Sequence, residues 1–133
     1  MPTIFSRIIA GEIPCHKIYE DEYTFAFLDI FPYQLGHLLI VPKTEVDHFY
    51  DLPEPYYTAI FQTAKKIAPA LQQATHSVRV GMILEWLEVP HVHIKMIPIH
   101  KPHDLDSKHK HEESPEAMQT IQQAILDQLQ KSI

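Results

Sequence analysis

Residues 90–98 read PHVHIKMIP, and this run restricts the fold more than any other in the chain. Val92, Ile94 and Met96 alternate with His91, His93 and Lys95, and a period of two is that of a β-strand. The apolar set should face a core, and the basic set should face outward or into a cleft. A solvated polar face is the simplest reading of that pattern. A metal site is the second, since two histidines at this spacing can reach one ion, although Lys95 makes a poor third ligand. The third is nucleophilic catalysis on a phosphate. A neutral imidazole is a good nucleophile near pH 7, a neighbouring histidine can fix its tautomer, and nearby cations would hold phosphate oxygens.

Proline punctuates the rest of the chain. Residues 2–11, PTIFSRIIAG, predict a short helix with Thr3 as N-cap and Gly11 past its end. Residues 16–19, 23–30 and 37–43 read as three strands, the last opening on His37. The spacing of Ile60, Phe61, Ala64, Ile67, Ala68 and Leu71 predicts the main helix over residues 51–74, with Pro69 expected to kink or end it. Residues 77–84 and 91–99 read as two more strands, joined by EWLEVP, a connection short enough for an antiparallel hairpin. The polar stretch HKPHDLDSKHKHEE reads as a solvated loop; its His103, His109 and His111 could hold a metal only loosely. Ser114, Pro115 and Glu116 then open a C-terminal helix. Five strands on short connections, a long central helix and a C-terminal helix predict one α+β domain over residues 1–133, with a five-stranded antiparallel sheet.

Composition excludes several classes of function. The net charge of −6 argues against a nucleic acid polymer as partner but not against a small phosphorylated ligand. No apolar run is long enough for a membrane span, and no signal peptide is evident. One cysteine, Cys15, cannot form an internal disulfide, so a cytoplasmic setting is expected.

PHVHIKMIP resembles the H-φ-H-φ-H-φ-φ signature of the histidine triad (HIT) superfamily, where φ is apolar. The segment TIFSRIIAGEIPCHKIYEDEYTFAFLDIFPYQLGHLLIVPK is similar to that family's N-terminal half, so the resemblance runs from residue 3 to about residue 99. It implies a nucleotide hydrolase or nucleotidyl transferase acting at the α-phosphate of a purine nucleotide, without metal or cofactor, on a fold that is commonly a homodimer. His93 is the implied nucleophile, supported by His91 and His37, with Lys95 holding phosphate charge. The implied nucleoside pocket is Ile4, Phe5, Ile8, Phe27, Leu28, Asp29 and Ile30, with the Asp29 carboxylate on the ribose hydroxyls.

The chain departs from the family pattern in several places. Lys95 replaces the third histidine, Trp86 stands where a glycine is usual, and Leu87, Glu88 and Val89 replace small polar residues. Thr3 and Ser6 occupy the positions of a Cys-x-x-Cys pair in zinc-binding members, so no structural zinc is expected there. These departures keep two alternatives open: a nucleotide-binding protein that has lost efficient catalysis, and a metal-binding or structural homodimer.

Overall fold

The computed structural model describes residues 2–132, and its architecture is α+β. In chain order the elements are α1 (Ile4–Ile9), β1 (Lys17–Glu20), β2 (Thr24–Leu28), β3 (Leu38–Pro42), α2 (Tyr56–Thr75), β4 (Arg79–Ile83), β5 (Ile94–Ile99) and α3 (Pro115–Lys131), with single 3-10 turns at Phe49–Asp51 and Ser107–His109. The five strands form one sheet in the order β1-β2-β3-β5-β4. Every pairing is antiparallel.

Alternation along the strands divides the sheet into two faces. Ala26, Leu28, Leu38, Ile40, Ile94 and Met96 point to one side and pack with Ile60, Ile67 and Leu71 of α2 and with Met118, Ile121 and Ile125 of α3. Phe25, Phe27, Leu39 and Val41 point to the other and pack under Phe5 and Ile8 of α1. The short helix is fixed by its cap, because the Thr3 hydroxyl accepts the Ser6 N–H at 3.1 Å. Ser114 caps α3 in the same way through the Ala117 N–H.

Three expectations need correction. Pro69 neither ends nor breaks α2, which continues to Thr75 and stops at His76 in the left-handed region, φ 54°. Pro69 is on the exposed side of the helix, where water can take the carbonyl its missing N–H leaves free. At the other end the helix begins at Tyr56 rather than near 51, because Pro53 and Pro55 follow the 3-10 turn at Phe49–Asp51. The β4–β5 hairpin has a longer connection than EWLEVP: its ladder closes at Ile83↔Lys95, so His91 and His93 lie in an extended segment ahead of the strand.

One glycine is required where β3 begins. Gly36 has φ 103°, and a Cβ there would fall 3.0 Å from Thr75 Cγ2 at the end of α2. Its absence of a side chain lets the chain turn tightly against the helix and present His37 to the opposite face.

Candidate active site

The three histidines of interest are all on the α1 face, and all are buried: His37 and His91 are 1% exposed and His93 is 4% exposed. The basic face of the run is therefore an interior. Main-chain geometry fixes the tautomer of each ring, since a carbonyl can only accept and an amide N–H can only donate. His91 Nε2 lies 3.0 Å from the Pro42 carbonyl and must carry the proton, so Nδ1 accepts from the Thr3 hydroxyl at 2.7 Å. His93 Nδ1 donates to the His91 carbonyl at 2.8 Å, which leaves the lone pair on Nε2. His37 Nδ1 accepts the Tyr33 N–H at 3.1 Å, so its proton is on Nε2, which is buried and has no hydrogen-bond partner.

Electrostatics keep these rings neutral. Burial, aided by the Lys95 charge, pushes His93 down to about 4. Burial does the same to His37, down to about 3, with Lys95 and His93 adding to it. His91 is also lowered by burial, against the pull of the Pro42 bond. Burial raises the Asp29 carboxyl, whose Oδ2 is 3.7 Å from His37 Nε2. With His37 neutral this approach is not an ion pair, and Asp29 Oδ1 is occupied by the Phe31 N–H at 2.8 Å. What remains is the partly exposed Asp29 Oδ2, an acceptor that can meet a polar ligand, with the buried His37 N–H behind it.

Two aromatic rings enclose His93. Phe5 meets it edge-on with centroids 4.9 Å apart, and Trp86 lies over it at 4.9 Å with a 36° tilt. The Trp86 indole fills the space that a glycine would leave open, and its N–H is tied to Asp47 Oδ1 at 3.2 Å. Lys95 continues the same side of β5 and lies 5.9 Å from the Tyr33 ring. Glu88 lines the same cleft as Lys95, which puts a carboxylate beside the site.

The implied nucleoside residues are not all brought together. Phe5, Ile8 and Phe27 form one buried cluster below His93. Ile4 and Ile30 are 48% and 61% exposed, apolar side chains left open to solvent on the α1 side and in the loop after β2. Leu28 is the exception. Its side chain packs against α2 and α3 on the opposite face of the sheet, because neighbouring strand residues alternate sides, so it cannot wall this pocket.

The sequence reading missed Glu45. Its Oε1 accepts the Thr3 N–H at 2.7 Å and the Ser6 hydroxyl at 2.5 Å. Glu45, Ser6, Thr3, His91 and His93 thus form one hydrogen-bonded series. Among the described residues, no three His, Cys, Asp or Glu side chains are grouped as an ion would require. No helix among them is long and apolar enough to cross a membrane.

The chain is similar to known proteins in sequence and fold. The family model described as HIT domain matches residues 10–102. The adenosine 5'-monophosphoramidase of Saccharomyces cerevisiae is 41% identical over 97 residues, 71% of this chain and 61% of its own length, so the match spans less than two thirds of that relative. Protein hit of Bacillus subtilis is 33% identical over 138 residues, covering 97% of this chain and 95% of its own. A solved HIT family protein from Bacillus anthracis superposes with a TM-score of 0.72 at 30% identity, over 98% of this chain and 96% of that one. A hypothetical histidine triad nucleotide-binding protein from Sulfolobus tokodaii, at 24% identity, shares the fold with a TM-score of 0.85 over 96% and 91% of the two chains. The chain belongs to the HIT family.

Proposed function

We propose that the protein is a nucleotide hydrolase or nucleotidyl transferase acting at the α-phosphate of a purine nucleotide. The observation that carries this reading is the His93 ring, held neutral by burial, with Nδ1–H bound to the His91 carbonyl and a free lone pair on Nε2. That is the state a nucleophilic imidazole requires. Nε2 bonds to the α-phosphorus, the bond to the leaving group breaks with its electron pair, and water later cleaves the nucleotidyl-His93 bond. His91 supports the nucleophile through its carbonyl, and Lys95 offsets charge on the phosphate oxygens. Asp29 is suited to ribose hydroxyls, with the buried His37 ring supporting the site behind it, and Phe5, Ile8, Phe27, Ile4 and Ile30 are suited to the base. The phosphoramidase named above supports the same chemistry.

The test is intact-protein mass after mixing with adenosine 5'-phosphoramidate, with AMP release followed in parallel. A nucleotidyl adduct or AMP release that vanishes in His93→Ala is expected. Release that survives His93→Ala would overturn the reading. Binding without adduct or release would favour the second reading, a nucleotide-binding protein without efficient catalysis, which the Trp86 ring over His93 motivates. The homodimer belongs to the same proposal. Its support is β4, an edge strand carrying exposed Met82, with exposed Val78 just ahead of it, and sedimentation would test it. The cytoplasmic setting is part of the proposal as well, on the strength of the single thiol.

A further inference from the structure

His91 and His93 stand ahead of the β5 ladder, which pairs with β3 only from Ile94 onward, so no strand partner sets where they lie. The end of β3 and the loop after it take over that task. The Pro42 carbonyl accepts the His91 Nε2–H at 3.0 Å. The Val46 carbonyl accepts the Val92 N–H, between the two histidines, at 2.8 Å. Both of these anchors are main-chain groups. The third is indirect and starts from a side chain of the same loop, that of Glu45.

The hydrogens along this third path can be assigned one by one. The His91 proton is on Nε2, so Nδ1 is a buried acceptor, and the Thr3 hydroxyl lies 2.7 Å from it. Thr3 has one hydroxyl hydrogen, and the competing acceptor, Ser6 Oγ, is farther off at 3.2 Å. The Ser6 hydroxyl donates to Glu45 Oε1 at 2.5 Å, and the same oxygen accepts the Thr3 N–H at 2.7 Å. That N–H belongs to the cap residue and has no partner within the helix. A single oxygen therefore grips Thr3 by its main chain and Ser6 by its side chain. With only six residues, α1 is too short to hold its own end in place. Without Glu45, the Thr3 hydroxyl would be kept against His91 by nothing but the bond it has to aim.

We infer that Glu45 is a positioning residue for transfer through His93. It fixes Thr3, Thr3 fixes the His91 ring, and the His91 carbonyl fixes the His93 Nδ1–H and so the direction of the Nε2 lone pair. The inference rests on the proposed transfer and adds to it an exposed group that touches neither His93 nor the nucleoside pocket. Glu45 supplies a lone pair rather than a charge, because both bonds fall on one oxygen and an amide oxygen can accept both. Substrate affinity is unaffected, since Phe5 and Ile8 stay buried in the cluster beneath α1 whether or not its first residue is tied.

The test uses the full chain with adenosine 5'-phosphoramidate as substrate. Glu45→Ala lowers kcat about fivefold at unchanged KM, as expected when a reacting group is misaimed rather than missing. Glu45→Gln recovers most of that loss. Added to Thr3→Val, Glu45→Ala lowers kcat no further, because both changes act through one bond. In the nitrogen NMR spectrum the His91 Nδ1 resonance moves toward the position of an unbonded ring nitrogen in Glu45→Ala and stays in place in Glu45→Gln. An unchanged kcat in Glu45→Ala overturns the assignment, even where stability falls. So does a Gln variant no better than the Ala variant, or losses that multiply in the double variant. A parent that releases no AMP overturns the transfer itself, and the His91 resonance then decides the link alone: moved in Glu45→Ala, Glu45 aims Thr3; unmoved, it does not.

Discussion

On the α2 side of the sheet, Leu28, Ile40, Ile94 and Met96 meet Ile60, Ile67 and Leu71, and the Thr24–Thr63 hydroxyl pair at 2.8 Å is a polar contact amid apolar ones. On the α1 side a six-residue helix and the loop ahead of β5 cover three buried histidines, and the contacts that matter are hydrogen bonds. The first face is held by burial, which is non-directional and tolerates adjustment of volume. The second depends on direction, because a ring rotated or a hydroxyl removed leaves a buried polar group unpaired. Stability should therefore reside mainly on one face and chemistry on the other.

The sharpest way to break this division is to truncate each face in turn. Ile67→Ala, at a fully buried position of α2, should lower unfolding free energy by about 3 kcal/mol in urea while leaving turnover per folded molecule unchanged. A fall in turnover as large as that from a change on the α1 face would show the two faces to be coupled.

Acid should expose the α1 face next. His37 and His93 bind protons more weakly in the folded chain, at about 3 and about 4, than at their ordinary value of 6.5. Between those values the unfolded chain holds more protons. Their contribution is thus complete above pH 6.5 and is lost as pH falls toward 4, by up to about 1.4 kcal/mol per pH unit for each ring. Urea midpoints at several pH values measure this, and His37→Asn should flatten the slope.

Smaller effects separate the hydrogen bonds themselves. Thr3→Val removes both the helix cap and the donor to His91; it should cost about 1 kcal/mol of stability. It should also lower kcat about tenfold at unchanged KM, in the range assigned to positioning groups. Thr3→Ser should restore both, and a variant that loses stability alone would make Thr3 a cap and nothing more. Smallest is Lys95→Gln. Lys95 helps hold His93 down, so the acid limb of the pH–rate profile should move to higher pH without it.

The same contrast explains what could be read from the sequence. The α2 face was legible because Ile60, Ala64, Ile67 and Leu71, and the alternating strand residues, announce themselves by period. Thr3, Ser114 and Pro115 were legible as local end signals. His91 and His93 were found through their spacing, but their burial was not, because the segment that covers them is separated from them in the chain. Leu28 reads as a pocket residue with its neighbours Phe27 and Asp29, whereas alternation puts its side chain on the other face. Glu45 carries no local signal at all: it meets Ser6 across 39 residues.

Trp86 gives the molecule an optical channel to its own chemistry. It is the single tryptophan in the chain, its indole N–H is anchored, and its ring lies 4.9 Å from the imidazole. Indole emission is quenched by a nearby imidazolium far more than by neutral imidazole. Each charge gained by that ring, by protonation or by bonding to phosphorus, would therefore darken the protein, and each release would restore it. Stopped-flow fluorescence could follow a turnover without any label.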